Sequence, residues 1–267
     1  MTRTYSIYTF GVMEKPFGKI VLVTGASRGI GRAVVETLLE LDPEVIVYGV
    51  ARTEEPLRDI QEKYGSRFNY VVTDVTDTER MRELVCDLVD IYGRINSVVA
   101  NAGVLAPVSP ISCSSTKEWE RHFAVNFFSI VSLVTMCLPH LEATRGSIIC
   151  VSSGASVKPY NGWSCYCASK AALNSYVRSL ALEIPGIRTI AVAPGVVDTQ
   201  MQTDIRLTLG PQGMAPEALK RFTDLKNNNQ LLDPRVPGTV YAKLVLNGIP
   251  NELNGAYVRY NDERLNV

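Results

Sequence analysis

Two side chains past the middle of the chain have the types and spacing of a proton-transfer pair. Tyr166 and Lys170 lie four residues apart in a run of helix-forming residues, and residues at i and i+4 share one helix face. An adjacent ammonium lowers the pKa of a phenol, which brings it closer to the range that acid–base catalysis needs at neutral pH. Ser153, after a strand-like apolar run, could bring a hydroxyl to the same reacting oxygen. Because the same spacing also occurs by chance in ordinary helices, the pair needs support from the rest of the chain.

A glycine-rich turn near the start of the chain predicts a phosphate site. Residues 19–24 form a short apolar run typical of a buried parallel strand, which leads into Gly25-Ala-Ser-Arg-Gly29-Ile-Gly31 and then a helical pattern. Glycines let the backbone turn sharply and approach a pyrophosphate, and the N-terminus of the following helix attracts the anion. The spacing departs from the commonest dinucleotide fingerprint, and a tight turn that binds no phosphate is the alternative.

The residues after the second predicted strand bear on the choice of cofactor. Sites that prefer NAD place an acidic side chain about 20 residues beyond the glycines; here Ala51 occupies that place, and Arg52 follows it. Together with Arg28 in the glycine turn, Arg52 would attract a ribose 2′-phosphate. Glu54 and Glu55 follow closely and argue the other way, because they would partly neutralise these cations. The sequence therefore favours NADPH.

Strand-like and helical stretches alternate along the rest of the chain without a break in composition. Further strands are predicted over residues 45–50, 69–73, 96–100, 147–151 and 187–193. This alternation predicts an α/β fold, a single-domain Rossmann-like, doubly wound parallel β-sheet with helices on both faces. The loops after the strands of such a sheet gather at one edge, where ligands bind. Six residues follow predicted strands and should share that edge: Gly25, Ala51, Asp74, Asn101, Ser153 and Gly195.

The predicted domain covers residues 19–267, and residues 1–18 are predicted to be an N-terminal extension. Residues 199–233 form the longest insertion and contain Met201, Met214 and Phe222 among glycines and prolines. Long insertions at a ligand edge are commonly lids; the alternative is an ordinary helical excursion. Asn126 falls inside a predicted helix, where its amide competes for backbone groups, so a functional reason for it is expected.

Composition bears on partners and compartment. Of the 267 residues, 46% are hydrophobic and 20% charged, with a formal net charge of zero, so a nucleic-acid or anionic-membrane partner is not expected. We find no apolar run of the ~18 residues that span a bilayer and no secretory signal. Six cysteines lack Cys-x-x-Cys or zinc spacing and both histidines are isolated, so no metal site is predicted and the histidines are expected to be structural or exposed. Free thiols of this kind indicate the cytoplasm.

These motifs occur together and in order, and in that combination the chain resembles the short-chain dehydrogenase/reductase superfamily. The resemblance spans about residues 20–258 and rests on residues 24–31, Asn101-Ala-Gly103, Asn126, Ser153, Tyr166-x-x-x-Lys170 and Pro194-Gly195. Residues 151–163, 193–201, 209–214 and 260–265 resemble the group of benzil and sepiapterin reductases within that superfamily. The resemblance implies an NADPH-dependent carbonyl reductase.

The resemblance also implies individual roles. Tyr166 would protonate the carbonyl oxygen, Lys170 would lower the tyrosine pKa and hold the nicotinamide ribose, and Ser153 would bind the substrate oxygen. Asn126 would anchor a water that relays protons to Lys170. Asp74 would bind the adenine amino group, and Val197 and Thr199 the carboxamide. The full cofactor site that it implies comprises Gly25, Ser27, Arg28, Gly29, Ile30, Gly31, Ala51, Arg52, Asp74, Val75, Asn101, Ala102, Gly103, Tyr166, Lys170, Pro194, Gly195, Val197 and Thr199.

An aromatic α-diketone such as benzil, reduced to a hydroxy ketone, suits the expected pocket, because aromatic and sulfur-containing side chains accommodate flat apolar groups. The expected walls are Leu105, Ala155, Tyr160, Trp163, Met201 and Met214. Pterins and keto esters are alternative substrates. A regulatory protein that binds NADPH without turnover is the alternative class, although a pure binder needs no proton-transfer groups. The resemblance also implies a homodimer or tetramer, with Phe127 and Phe128 as candidate contacts.

Overall fold

The computed structural model describes residues 18–265, so the predicted extension lies outside the described residues except for Gly18. Seven strands and ten α-helices occur within residues 18–265. The strands are β1 Ile20–Thr24, β2 Ile46–Ala51, β3 Phe68–Val72, β4 Ser97–Ala100, β5 Ser147–Val151, β6 Arg188–Ala193 and β7 Tyr257–Arg259. The helices are α1 Gly29–Leu41, α2 Glu55–Tyr64, α3 Thr78–Tyr92, α4 Thr116–Phe123, α5 Ser129–Thr144, α6 Ser164–Glu183, α7 Gln200–Asp204, α8 Gly210–Gly213, α9 Pro216–Asn227 and α10 Arg235–Asn247.

The strands form one sheet in the order β3-β2-β1-β4-β5-β6-β7, and every neighbouring pair is parallel. The order reverses direction between β1 and β4, which is where doubly wound sheets bind ligands. The predicted single-domain, Rossmann-like fold is confirmed. Strand ends differ from the prediction by about one residue, because pairing sets them: the last pair between β2 and β3 is Ala51 with Val72.

Helices cover both faces of the sheet because its strands are apolar on both sides. Val34 of α1 and Tyr241 of α10 are fully buried in the core on one face, and Tyr241 also donates a hydrogen bond to the carbonyl of Val192, at 2.9 Å. Leu88 of α3 and Leu173 of α6 are fully buried in the core on the other. Burial on both faces explains why these strands read as continuous apolar runs rather than alternating ones.

One helix, the one that carries Asn126, is long and apolar. Helix α4, a π-helical segment at Ala124–Phe128 and helix α5 run on as one helix over Thr116–Thr144. By length and composition alone this helix could cross a membrane, with a mean hydropathy of 1.6 in its most apolar window. Because Leu133, Cys137 and Leu141 of α5 are buried in the core beneath the sheet, and core helices of soluble proteins pass the same test, this is weak evidence for a membrane span.

The insertion at residues 199–233 is almost entirely helical. It consists of α7, a π-helical segment at Ile205–Leu209, α8 and α9. Ile205 and Phe222 of this insertion are buried in a third apolar cluster together with Trp163 and Tyr166, near the start of α6. The insertion therefore packs against the start of α6, while its movement as a lid stays a prediction.

Candidate active site

A cavity of about 760 Å³ lies at the carboxyl edge of the sheet, where the loops after β1, β2, β3, β4, β5 and β6 meet. Every residue of the predicted cofactor site lines this cavity except Gly31. Gly31 lies one layer behind the wall, where a Cβ would collide with the carbonyl of Gly25. Gly31 therefore allows α1 to pack against the glycine turn, and its part in cofactor binding stays a prediction.

The glycine turn can hold a pyrophosphate. Gly25 and Gly29 have φ angles of +68° and +55°, a conformation that glycine adopts at little cost. The Asn101 side chain fixes the turn by donating hydrogen bonds to the carbonyls of Thr24, at 2.8 Å, and Gly25, at 3.2 Å. The side chain of the N-cap residue Arg28 makes no capping hydrogen bond within residues 18–265, so the first N–H groups of α1 are available to an anion at the cavity edge.

Two arginines, Arg28 in the glycine turn and Arg52 after β2, line the cavity and are exposed. We call the part of the cavity that they line its outer end. Arg52 is 67% exposed and contacts Asp74 at 3.7 Å (Nη1 to Oδ2). Burial would raise the pKa of the Asp74 carboxyl, but hydrogen bonds from Thr76 and the Arg52 charge hold that pKa below its usual value. Glu54, which argued against a 2′-phosphate, accepts a hydrogen bond from Tyr70 at 3.2 Å. Its carboxylate is thus engaged with a neighbouring strand.

Tyr166 and Lys170 lie on α6 and are 7% and 3% exposed. Lys170 Nζ donates to the carbonyl of Val151 at 2.8 Å and lies 5.8 Å from the centre of the Tyr166 ring. Burial lowers the pKa of Lys170 to about 8. Burial also raises the pKa of Tyr166 to about 12, with a hydrogen bond from Ser153 acting in the opposite direction. Burial thus has the largest effect on the pKa of Tyr166, and the lowering contribution expected from Lys170 stays a prediction.

Ser153 is held at the end of β5 by contacts on both sides. Its Oγ accepts a hydrogen bond from the backbone N–H of Ala155 at 3.1 Å. Its carbonyl accepts one from Ser156 Oγ at 2.6 Å and another from the Tyr257 hydroxyl at 3.2 Å. Because its Oγ also bonds Tyr166, the hydroxyl lies where a substrate oxygen could meet both groups.

Asn126 lies in the middle of the π-helical segment and is 0% exposed. Its Oδ1 accepts from the N–H of Val104 at 2.8 Å, and its Nδ2 donates to the carbonyl of Val104 at 2.8 Å. Nδ2 also lies 2.8 Å from Nε2 of His122. Asn126 does not line the cavity, and both of its amide hydrogens are used. A water anchored by Asn126 would therefore have to donate to an oxygen of this residue, and the predicted water relay to Lys170 stays a prediction.

Aromatic rings form one wall of the inner cavity. Trp163 stacks on Tyr160 with ring centres 4.8 Å apart and on Phe222 at 5.1 Å, and its edge meets Tyr166 at 5.9 Å. Tyr160, Trp163 and Phe222 line the cavity, as do the predicted wall residues Leu105 and Met201. A flat apolar group fits beside such rings, because aromatic pairs favour stacked or edge-to-face packing.

Two predicted wall residues, Ala155 and Met214, do not line the cavity. Met214 lies behind Trp163, whose Nε1 donates to its sulfur at 3.3 Å. Ala155 is 3% exposed and belongs to the same apolar cluster. Met214 therefore supports the aromatic wall from behind, and Ala155 is a buried member of the same cluster.

The sequence analysis missed one buried polar residue beside the site. His122 is 1% exposed and contacts Asn126 and Ser169 through Nε2. A lone histidine gave no signal by type, although its position four residues before Asn126 places both on one helix face. Further residues of the insertion line the cavity and were also missed, namely Gln200, Gln202, Asp204, Ile205, Thr208, Leu209 and Arg221.

Comparisons with known proteins find similarity to short-chain dehydrogenases and reductases. A family model described as short chain dehydrogenase matches residues 19–210. Benzil reductase ((S)-benzoin forming) IRC24 of Saccharomyces cerevisiae is 58% identical over 257 residues, which cover 93% of this chain and 98% of that protein. The crystal structure of the short chain dehydrogenase/reductase YIR035C from the same yeast is 51% identical with a TM-score of 0.91, covering 93% of this chain and 98% of that one. A crystal structure of an S. cerevisiae cytoplasmic protein with unknown function is 49% identical with a TM-score of 0.81, at coverages of 93% and 98%.

Proposed function

Because the chain belongs to the short-chain dehydrogenase family, we propose that it is an NADPH-dependent carbonyl reductase that converts an aromatic α-diketone such as benzil to a hydroxy ketone. The observation that carries the proposal is a single cavity in which the glycine turn, the Tyr166–Lys170 pair and the aromatic wall meet. The similarity to a benzil reductase supports the choice of substrate. The observation also argues against a regulatory NADPH binder, which would need neither the buried acid nor the wall.

The chain's own residues would hold the cofactor along the carboxyl edge of the sheet. The turn from Gly25 and the start of α1 would bind the pyrophosphate, and Arg28 and Arg52 would bind a 2′-phosphate. Pro194 and Gly195 continue the same wall toward Tyr166. The nicotinamide, when bound, supplies the hydride that the carbonyl carbon accepts.

Tyr166 is suited to give the proton that the reduced oxygen requires. Burial raises the pKa of Tyr166 to about 12, so the phenol holds its proton at neutral pH, and the charge of Lys170 would bring that pKa closer to the range in which a general acid works. Ser153 would donate a hydrogen bond to the oxygen as negative charge develops there, which is where a fixed donor contributes most. Lys170, mostly cationic below its pKa of about 8, would stabilise the phenolate that proton transfer leaves behind.

We propose that the protein acts in the cytoplasm. All six cysteines are free thiols, two of them exposed, which is typical of a reducing compartment such as the cytoplasm.

We also propose a homodimer or tetramer with Phe127 and Phe128 in the contact. Phe128 is 55% exposed and packs edge-on against Phe127 at 5.4 Å, so the pair offers apolar surface to a second copy.

The experiment that tests the function is NADPH oxidation by the purified full chain with a panel of carbonyl compounds. The panel contains benzil, an aliphatic diketone, a keto ester and a pterin, each with NADPH and with NADH. We expect the highest kcat/KM for benzil with NADPH. Tight NADPH binding without oxidation by any member of the panel would contradict the proposal and favour the regulatory class.

A further inference from the structure

His122 contacts three of the segments that carry the candidate active site. It lies on α4, and its Nδ1 is 2.7 Å from the carbonyl of Ala106, in the loop after β4. Its Nε2 lies 2.8 Å from Nδ2 of Asn126, in the π-helical segment, and 2.9 Å from Oγ of Ser169 on α6. One buried ring therefore joins its own helix to the loop after β4 and to α6, through partners 16 and 47 residues away in the chain.

The hydrogen-bond partners determine which nitrogen of His122 carries the proton. The N–H of Val104 is only a donor and its carbonyl only an acceptor, so their two bonds to Asn126 fix the orientation of that amide. Nδ2 of Asn126 is then a donor, and Nε2 of His122 must accept from it. Nδ1 faces a carbonyl, so it must carry the proton. His122 is accordingly neutral, with the proton on Nδ1.

The environment of His122 maintains this neutral form. Burial lowers the pKa of His122, and the charge of Lys170 lowers it further, although the bond to Ala106 acts in the opposite direction. A protonated ring would present an N–H to the N–H of Asn126, and two donors cannot bond each other. The neutral ring is therefore the form that can hold the Asn126 amide in place.

His122 is also connected to the reacting groups. Ser169 stands directly before Lys170, and the one hydrogen of its Oγ can be donated to the carbonyl of Tyr166, at 2.9 Å, or to the unprotonated Nε2 of His122, at 2.9 Å. The His122 ring meets the Tyr166 ring edge-on, with centres 6.0 Å apart and planes at 82°. The contacts of His122 thus reach the segment that carries Tyr166 and Lys170 as well as Asn126.

We propose that His122 is a positioning residue for the reduction. Its neutral ring fixes the Asn126 amide, and through it the π-helical segment, against the loop after β4 and against α6. This inference rests on the proposed function. Loss of the ring nitrogens should loosen the geometry of the reacting groups, and misplacement by about 1 Å can lower a rate about a hundredfold.

The kinetic test compares two substitutions with a distant control. We expect His122→Phe, which keeps a ring but no nitrogens, to lower kcat about ten- to a hundredfold and to change the KM for NADPH and benzil less than about threefold. His122→Gln retains one donor and one acceptor and should restore part of kcat. Ser97→Ala breaks a buried 2.8 Å contact with Ser147 between β4 and β5 and should lower Tm without changing kcat.

A double-substitution cycle separates positioning from general destabilisation. If His122 acts through Asn126, His122→Phe should have almost no further effect on kcat in a chain that already carries Asn126→Ala. Equal effects of His122→Phe in both backgrounds, or a kcat loss in Ser97→Ala as large as that in His122→Phe, would overturn the inference.

The tautomer provides a test that needs neither cofactor nor turnover. The chain has two histidines, so ¹⁵N-histidine NMR of the full chain can assign His122 by its loss in His122→Phe, or by its loss in His122→Gln if the first variant does not fold. We expect a neutral ring protonated on Nδ1 at neutral pH. A ring protonated on Nε2, or on both nitrogens, would overturn the inference. Absence of wild-type turnover with benzil would instead contradict the proposed function and leave the NMR result to decide the role of His122.

Discussion

The two ends of the cavity differ in how far their charged and polar side chains are buried. At the reaction end, Tyr166, Lys170 and Asn126 are at most 7% exposed, and fixed partners hold each of them. At the outer end, Arg52 is 67% exposed and has one ion pair at 3.7 Å. Buried, fixed groups act strongly because little solvent screens them, whereas exposed charges are weakened by water and salt. The chemistry should therefore be sensitive to single substitutions, and the choice of cofactor should be easier to change.

The largest effect should come from the acid at the reaction end. We expect Tyr166→Phe to lower kcat about 10²–10⁴-fold, because it removes the proton donor and little else. The dissociation constant of NADPH, measured by fluorescence titration, should stay close to the wild-type value. Tyr160→Phe is the matched control: it removes a hydroxyl from the same cavity wall and should leave kcat nearly unchanged. A Tyr166→Phe variant that keeps about a third of kcat, with chemistry limiting the rate, would show that the role is misassigned.

Lys170 should separate activity from stability. Burial lowers the pKa of Lys170 from 10.5 to about 8. Between these two pH values the unfolded chain binds more protons than the folded chain, so the folded state becomes more stable as the pH rises. Below about pH 8 Lys170 is charged in both states, and the full free-energy cost of burying its charge is present. Lys170→Met should therefore be more stable than wild type at pH 7, by up to roughly 3 kcal/mol less the lost bond to Val151. This gain should shrink from pH 8 toward 10.5, while kcat falls about a hundredfold.

Urea unfolding at pH 7 and pH 10 measures the gain in stability of Lys170→Met. A wild type more stable than the variant at both values, or a difference that does not change with pH, would mean that Lys170 is solvated in the folded protein. The contrast between the buried and exposed ends of the cavity would then lose its main support.

At the outer end, Arg52→Ala should lower kcat/KM for NADPH about tenfold and leave that for NADH nearly unchanged, since a hydrogen bond to a charged group contributes roughly 1.5–3 kcal/mol and exposure reduces it. Added salt should diminish the difference. Arg58→Ala, which removes a charge from the same region but not from the cavity wall, should change neither value.

The double change Ala51→Asp, Arg52→Ala should invert the preference for NADPH over NADH, because the new carboxylate repels a phosphate and can bond a free hydroxyl. A ratio that is the same in all variants would mean that other residues select the cofactor.

The smallest effect should come from the insertion over the cavity. Phe222→Ala removes a ring that stacks on Trp163 at 5.1 Å and should raise the KM for benzil about two- to tenfold, the range expected for one aromatic contact. The KM for a small aliphatic diketone should change little. Leu219→Ala is the control, since Leu219 packs against the same cluster without lining the cavity. Equal effects on both diketones would point to an ordinary helical excursion rather than a lid.

The order of strands and loops was predictable because it depends on patterns that the chain carries locally. Apolar runs followed by Gly25, Asn101 and Ser153 were enough to place these residues at one edge, since every crossover in a parallel sheet returns to the same side. Once that edge is known, the cavity residues that directly follow a strand can be placed, whereas those of the insertion, such as Ile205 and Arg221, cannot.

The sequence did not predict which side chains face the cavity and which are packed behind its wall. Met214 and Ala155 were placed in the wall, but both are buried in the apolar cluster and neither lines the cavity. His122 carried no signal because its partners Ala106 and Ser169 are 16 and 47 residues away in the chain. The raised pKa of Tyr166 depends on how completely the folded protein removes water, which residue spacing does not encode.

The most direct test of the central claim is to follow the transferred hydrogen. NADPH deuterated at C4 of the nicotinamide, in either configuration, is incubated with benzil and the full chain, and the product is examined by mass spectrometry and NMR. We expect one benzoin per NADPH consumed, with deuterium at the carbinol carbon for one of the two configurations and a solvent-derived proton on the oxygen. Benzoin without deuterium from either form, or NADPH that stays bound and unconsumed, would contradict the assignment of this cavity as a carbonyl reductase site.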